Sequence, residues 1–177
     1  MADLGPSSGW LRILPPASRF ILHGDALART AASAAWGVAF AETPCRAVVR
    51  ADRATLWLGP DETLLWDSSR DGGQNAAMAI EQALRDIPHA LIDISHRQIA
   101  FEITGPHAER ILNGACPLDL ERSQFPVGMC TRTVFAKADI LLWRTQVETF
   151  RLEVWRSFEA YVGGLLREIG LEFHGRD

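Results

Sequence analysis

Apolar and polar residues alternate in several short segments of the chain, and this period of two is typical of half-buried β-strands. In the first half the predicted strands cover residues 19–23, 46–50, 54–58 and 63–67. Apolar residues recur with helical spacing over residues 25–35 and 72–86, which predicts two helices. Asp25 is placed to cap the first helix, and Pro88 ends the second. A further strand is predicted to begin near Ala90.

The second half repeats this arrangement of strand, helix, strands and helix. Residues 98–104 form a predicted strand, and Gly105-Pro106 ends it and opens a helix. The remaining predicted elements are strands near residues 131–135, 138–144 and 149–155, and a helix over 158–169 that Ser157 caps and Gly170 ends. We therefore predict an α+β fold of two pseudo-repeated, ferredoxin-like halves, residues 1–89 and 90–177, fused in one compact unit.

Composition and charge narrow the class of protein. The chain has 177 residues, 47% of them apolar, so it can bury one sizeable core or two small fused lobes. Its formal net charge of −4 and scattered arginines give no basic stripe, which argues against nucleic-acid binding. The weakly polar run over residues 26–40 is too short to span a membrane, and no basic residue precedes an apolar run at the N-terminus. A cytoplasmic protein is expected.

Asp93-Ile94-Ser95-His96 is the first candidate for chemistry, because a serine, a histidine and an acid lie close together in sequence. Adjacent side chains on an extended strand point to opposite faces, so Ser95 and His96 are not expected to share a proton. Asp93 and Ser95 can share a face, which favours a structural hydrogen bond in a turn. A hydrolase site is therefore not predicted.

Phosphate, metal and thiol chemistry have weak signals. Asp71-Gly72-Gly73 precedes a helix, but it lacks a third glycine and a lysine, so an ordinary capped loop is favoured over an anion site. The histidines show no i, i+4 pairing and no neighbouring cysteine, so no metal site is predicted. The three cysteines, Cys45, Cys116 and Cys130, are too widely spaced to suggest a disulfide framework, and we expect buried thiols.

Six tryptophans are unusual for a chain of this length. Core filling is one interpretation, and a protein–protein contact surface is the other. Alternation along residues 151–155 places Arg151, Glu153 and Trp155 opposite Leu152 and Val154. A tryptophan among charges is typical of contact surfaces, so the predicted partner interface comprises Trp143, Arg151, Glu153 and Trp155. Both interpretations remain open for this face.

Several segments, taken in order, resemble the gamma subunit of heterotetrameric sarcosine oxidase. They are residues 93–97, 103–112, 116–120, 125–133 and 150–158 together with Tyr161, and the resemblance runs from about Arg12 to Leu166 and is densest from Leu91 onward. The Asp-x-Ser-His, strand, Gly-Pro-x-Ala arrangement is also similar to the opening of the glycine-cleavage aminomethyltransferase family, a folate-binding fold. Because one fold can carry different functions, these two resemblances imply one fold and two possible roles.

The first resemblance implies a non-catalytic structural subunit. Such a complex oxidatively demethylates sarcosine to glycine, as an oxidoreductase acting on CH–NH donors with oxygen, in one-carbon and tetrahydrofolate metabolism. It implies FAD, FMN, NAD and tetrahydrofolate sites on the alpha and beta subunits, a zinc site on the delta subunit, and no cofactor or catalytic residue on this chain. Alpha is the expected main contact, with beta and delta in the same complex. The isolated chain is expected to be inactive and to expose an apolar patch or self-associate.

The second resemblance implies a free-standing folate-binding module. Orienting a pterin ring requires a carboxylate, and the candidates are Asp93 and Asp139. The aminomethyltransferases are longer and carry a glycine-rich turn with paired aspartates. Residues 136–140 of this chain have one acid and no glycine, which puts folate binding in doubt. Turn capping is the favoured role for both aspartates.

Overall fold

The structure, a computed structural model, describes residues 9–69 and 71–174. A 3₁₀ turn precedes the last helix. The other elements, in chain order, are β1 (Leu11–Ile13), β2 (Ser18–Gly24), α1 (Ala26–Trp36), β3 (Ala47–Arg50), β4 (Arg53–Gly59), β5 (Glu62–Asp67), α2 (Gln74–Leu84), β6 (His89–Asp93), β7 (Gln98–Thr104), α3 (Ala108–Asn113), β8 (Cys130–Phe135), β9 (Ala138–Gln146), β10 (Thr149–Trp155) and α4 (Glu159–His174).

The chain divides into two compact units at points that differ from the predicted boundary. The middle unit spans Pro16–His96, and the discontinuous unit joins the segment up to Pro15 with the chain from Arg97 onward. The boundary predicted between residues 89 and 90 falls in β6, which pairs with β2 in the middle unit. The predicted first half would also include β1, which pairs with β7 in the discontinuous unit.

The middle unit contains a five-stranded sheet of order β3-β4-β5-β2-β6, in which every neighbouring pair is antiparallel. Helices α1 and α2 supply the rest of a hydrophobic core. Apolar alternation on β2 places Phe20 and Leu22 in that core, where they meet Trp36 of α1 and Ile80 of α2. The unit thus has the predicted order of strand, helix, three strands, helix and strand.

Helix α1 shows how the local sequence sets the element. Asp25 accepts a hydrogen bond from the amide of Ala28 at 2.9 Å, so the predicted N-cap is confirmed. Ala28, Ala32 and Trp36 follow at four-residue spacing and are buried, which forms the core-facing stripe. Gly37 ends the helix with a φ of 78°, a conformation that glycine adopts without steric cost.

The discontinuous unit contains the second five-stranded antiparallel sheet, of order β1-β7-β10-β9-β8. Helices α3 and α4 contribute to its core. Phe101, Ile103 and Leu152 on the strands are fully buried with Val162 and Leu166 on α4. Pro106 begins the turn before α3, but the helix itself begins at Ala108, two residues later than predicted.

The two sheets have the same strand order, which the sequence pattern only partly predicts. From the matching edge, the sheets run β3-β4-β5-β2-β6 and β8-β9-β10-β7-β1. In each, three consecutive strands are followed by the strand that precedes the unit's first helix and then by a fifth strand. That fifth strand is β6 in the middle unit, whereas β1 takes the equivalent place in the discontinuous unit. The α+β class is therefore confirmed. The ferredoxin-like description is not, because a βαββαβ unit has four strands and these sheets have five, all antiparallel.

Helix α4 continues beyond its predicted end. Gly170 is a helical residue, and the helix ends at His174. A β-carbon at position 170 would lie 2.3 Å from Cζ2 of Trp10, so the glycine admits the tryptophan ring rather than capping the helix. The ring of Trp10 also stacks on His174 at 5.0 Å between centroids. The last turn of this helix therefore packs against Trp10, a residue distant in sequence.

Candidate partner surface

Three exposed aromatic residues lie close together in sequence where β10 leads into α4. Trp155 is the last residue of β10, Phe158 ends the 3₁₀ turn, and Tyr161 lies in the first turn of α4; their exposed fractions are 45%, 36% and 42%. With Arg97 and Arg156, we call these residues the aromatic patch. Clusters of large apolar side chains that are exposed to solvent are typical of protein–protein contact surfaces.

Strand pairing fixes Trp155. Its register partner across the sheet is Gln98, and the amide of Arg156 donates to the carbonyl of Arg97 at 2.9 Å. The guanidinium of Arg97 lies over the indole of Trp155, 5.1 Å from the ring centroid, in a cation–π contact. Strand pairing therefore fixes the backbone at Trp155, and Arg97 covers one face of its indole.

Phe158 and Tyr161 form the second half of the patch. The two residues are three apart, so they occupy neighbouring positions where the turn becomes a helix. Their rings meet edge to face, with centroids 6.4 Å apart and an interplanar angle of 71°. The patch thus combines one ring held by a strand with two rings held by a helix start.

The other three predicted interface residues lie inside the protein. Trp143, Arg151 and Glu153 are each less than a tenth exposed. Arg151 donates from Nε to Oε1 of Glu153 at 2.6 Å, which forms a buried ion pair on β10. The predicted alternation with Leu152 is correct, but both faces of β10 are buried at these positions. Of the four predicted residues, Trp155 alone is exposed.

Asp93 has the turn-forming role that the sequence favours. Its Oδ1 accepts hydrogen bonds from the amide and the hydroxyl of Ser95, at 2.8 and 2.5 Å. The Ser95 hydroxyl in turn accepts from the amide of Arg19 at 2.9 Å, which ties the turn to β2. Partial burial alone would raise the pKa of Asp93, but the bonds from Ser95, with Gln74 and His96 nearby, lower that pKa below its usual value.

The two predicted folate carboxylates belong to different units. Asp93 lies at the end of β6 in the middle unit, and Asp139 is exposed on β9 in the discontinuous unit, opposite Val134 in the register of β8 and β9. Neither unit holds both carboxylates, so a pocket within one unit cannot use the pair.

Two clefts in the middle unit have their arginines committed to the protein itself. A cleft of about 470 Å³ beside α1 includes Arg29, which donates to the carbonyls of Pro60 and Ala41 at 3.0 and 2.8 Å. A cleft of about 380 Å³ includes Arg53, whose Nε donates to Oδ2 of Asp67 at 2.7 Å. Both guanidinium groups therefore hold the fold together.

The Asp71-Gly72-Gly73 loop forms a hydrogen-bonded turn, but no side chain caps α2, so the cap favoured by the sequence is not observed. Asp71 accepts from the hydroxyl of Ser69 at 2.5 Å and from the amide of Gly73 at 3.3 Å. Gly73 precedes α2 with a φ of 64°. The Asp71 carboxylate is thus bonded within the loop that precedes α2.

Two of the three thiols are buried, and the described residues contain neither a metal-ligand cluster nor a membrane-spanning helix. Cys116 and Cys130 are buried as predicted, and Cys45 is partly exposed. Across residues 9–69 and 71–174, no three His, Cys, Asp or Glu side chains are grouped as metal ligands. None of the helices in the same described stretches has the length and apolar character needed to cross a membrane.

Sequence reasoning identified Trp155 but not Arg97, Phe158 and Tyr161 as members of one surface. The sequence pattern predicts Phe158 as the first residue of a helix, whereas it ends the 3₁₀ turn before α4. The sequence does contain a signal for this surface: three aromatic residues are spaced three apart, at positions 155, 158 and 161, and Arg156 lies beside the first of them. Residues three apart lie near one another where a chain turns into a helix, so three aromatic residues at this spacing beside an arginine indicate rings that lie close together.

Comparison with known proteins identifies one family. The model of the sarcosine oxidase, gamma subunit family matches residues 23–172. Sarcosine oxidase subunit gamma of Corynebacterium sp. (strain P-1) is 33% identical over 120 residues, which cover 68% of this chain and 58% of the relative. The corresponding protein of Arthrobacter sp is 38% identical over 92 residues, covering 52% of this chain and 44% of the relative. The matches thus span about half the length of these relatives.

Solved structures agree with the family match. A chain of the heterotetrameric sarcosine oxidase of Corynebacterium sp. U-96, in complex with pyrrole 2-carboxylate, has a TM-score of 0.87 and 26% identity, covering 97% of this chain and 90% of that chain. Aminomethyltransferase T of the glycine cleavage system from Bartonella henselae has a TM-score of 0.63 at 11% identity, covering 88% and 44%. The second likeness concerns the fold alone.

Proposed function

The chain belongs to the sarcosine oxidase gamma subunit family, and from that membership we propose that it is the non-catalytic gamma subunit of a heterotetrameric sarcosine oxidase. In this role it assembles with alpha, beta and delta subunits and contacts alpha most extensively. The complex oxidatively demethylates sarcosine to glycine. The observation that carries the proposal is the TM-score of 0.87 over 97% of the chain with a chain of such a complex.

The chemistry of the complex is assigned to the other subunits. FAD, FMN, NAD and tetrahydrofolate are bound there, and the gamma subunit acts by completing the assembly in the cytoplasm. The side chains described above support a structural role. Arg29 and Arg53, which line the two clefts, and Asp93 of the predicted site donate or accept within the chain. The free-standing folate module is not proposed, because a likeness at 11% identity supports fold only.

We also propose that the two units are pseudo-repeats of one ancestral half. Their shared strand order supports this, as does the equivalent position of β6 and β1 at the end of each sheet. The duplicated halves of the sequence pattern then correspond to the middle and discontinuous units, with one terminal strand displaced to the start of the chain.

The experiment is co-expression of this chain, tagged, with the alpha, beta and delta subunits of the same organism. We expect a yellow complex to co-purify with the tag and to form hydrogen peroxide when sarcosine is added. Leaving this chain out should lower the yield of the assembly while the activity per bound flavin of any remaining assembly is unchanged. If the other three subunits assemble in full without it and it purifies alone, the proposal is wrong.

A further inference from the structure

The aromatic patch presents apolar rings in a fixed geometry. Arg97 covers one face of the Trp155 indole at 5.1 Å, and Phe158 and Tyr161 pack edge to face at 6.4 Å. Trp155 also ends a strand that is paired along its whole length with β7. Side chains ordered in this way lose little conformational entropy on contact, so the rings suit the centre of an interface.

The charges around the patch favour an acidic partner. Arg97 and Arg156 are exposed beside Trp155, and Glu159, partly exposed, is the acid within the same segment. Among Arg97, Arg156 and Glu159 the two cations outnumber the one acid, although the whole chain has a formal net charge of −4. A surface that combines an apolar pocket with carboxylates at its edge would match both the rings and the guanidinium groups.

The same charges argue against a second copy of this chain as the occupant. A two-fold dimer through the patch would be isologous, so the patch of one copy would meet the identical patch of the other. Arg97 and Arg156 of both copies would then approach the same contact, and like charges opposed across an interface are unfavourable. A different chain avoids this repulsion.

We propose that the aromatic patch is the central contact through which this chain binds another subunit of its complex, at an apolar pocket edged by carboxylates. This inference rests on the proposed function and adds to it the surface and the chemistry of the partner. Trp155 inserts its exposed edge, Arg97 forms ion pairs beside it, and Phe158 and Tyr161 widen the apolar contact. Residues around the patch complete an interface of ordinary size.

The test measures binding of the other subunits to this chain by biolayer interferometry, with the full-length chain immobilised. Trp155→Ala and Tyr161→Ala should each raise Kd roughly 10-fold or more, as expected for central aromatic contacts. Arg97→Glu should weaken binding to a similar degree, and more at low salt than at high salt. Trp155→Phe should retain most of the affinity.

Leu27→Ala is the matched control, since Leu27 is an exposed apolar residue on α1 with an exposed fraction of 63%. It should bind like wild type. Circular dichroism melts check that each variant is folded, which is expected because Trp155 and Tyr161 are exposed. A variant that unfolds is replaced by Trp155→Gln or Tyr161→Ser and measured again.

The outcomes separate the inference from the proposed function. If wild-type chain binds none of the subunits, the proposed function fails. If wild type binds and folded Trp155→Ala and Arg97→Glu remain within threefold of it, the patch is not the contact. Light scattering tests for self-association. If the wild-type chain is a dimer and Trp155→Ala is a monomer, the patch binds a second copy of the chain and the proposed acidic partner is wrong.

Discussion

Arg144 and Glu109 form an ion pair that joins β9 to α3, and the guanidinium of Arg144 is wholly buried. Arg144 also donates from Nη1 to the carbonyls of Leu120 and Phe125 at 3.1 and 2.9 Å. The central carbon of the guanidinium, Cζ, lies 4.8 Å from the ring centroid of Phe150. Arg144 on β9 thus binds the connection between α3 and β8, residues 114–129, to the sheet.

Removing this side chain should be among the most destabilising changes in the discontinuous unit. Arg144→Met would leave the carboxylate of Glu109 and the two carbonyls without their donor, and we expect a loss of about 3–5 kcal/mol in the free energy of unfolding. Arg144→Lys keeps the charge but not the planar fork, so it should recover part of the loss. Urea denaturation measures both.

Arg85→Ala is the control, because the Arg85 side chain is 76% exposed and pairs with an equally exposed Asp86. Exposed ion pairs contribute little, so this variant should stay within about 0.5 kcal/mol of wild type. A similar small effect for Arg144→Met would show that the buried network does not hold the connection.

His89 should make the middle unit more stable in mild acid. The Ile87 carbonyl, 2.8 Å from Nδ1, raises the pKa of His89; partial burial lowers that pKa by less, and Glu81 adds to the increase. The folded pKa therefore exceeds the unfolded value of about 6.5. The stabilisation is complete below the unfolded pKa and is lost as pH rises through the folded pKa.

The measurement is the free energy of unfolding of wild type and His89→Gln at pH 5.5 and pH 8.5. The cost of the substitution should be larger at pH 5.5. Glu81→Gln should reduce, though not abolish, this difference, since the Ile87 carbonyl remains. Equal costs at both pH values would mean that His89 does not gain a proton preferentially in the folded state.

The turn at Asp93 should have the opposite pH dependence. Because the folded pKa of Asp93 is lowered, its stabilisation is present above the unfolded value of about 3.9 and is lost as pH falls through the folded pKa. Asp93→Asn should remove this component of the acid unfolding curve. Ser95→Ala should remove part of it by deleting one donor. Acid titration followed by circular dichroism checks both, and an unchanged Asp93→Asn curve would refute the role.

Two glycines of α4 should respond oppositely to alanine. No atom lies within 4 Å of a β-carbon built at Gly164, so Gly164→Ala should stabilise the protein by about 0.5–1 kcal/mol through helix propensity. At Gly170 the new methyl would meet the ring of Trp10, and a loss of about 1–3 kcal/mol is expected. Thermal melts compare the two, and a stabilised Gly170→Ala would mean that Trp10 can move at no cost.

Most elements could be predicted because their local signals agree with their packing. The strand predicted over residues 63–67 is observed over Glu62–Asp67, and Asp25 caps α1 as expected. The exceptions depend on contacts distant in sequence. Leu11–Ile13 becomes a strand through pairing with β7, and Gly170 remains helical through packing on Trp10. A pattern read along the chain contains neither contact.

The interface prediction failed at three positions for a related reason. Alternation correctly divides the residues of β10 between two faces of the strand. It does not show that the face with the charged residues is covered by protein, because charged residues normally indicate exposure to solvent. Arg151 and Glu153 form a buried ion pair, which offsets part of the cost of burying the two charges. Trp155 is exposed because β10 ends there.

The place of β1 in the second sheet has a consequence for synthesis on the ribosome. Leu11 pairs with Ile103, so β1 must wait for about ninety further residues to be made before its partner strand emerges. The middle unit has all of its strands in one continuous stretch and can fold first, while β1 remains unpaired. During that interval the uncovered strand is open to wrong pairing, and the exposure ends only when β7 is made and pairs with it.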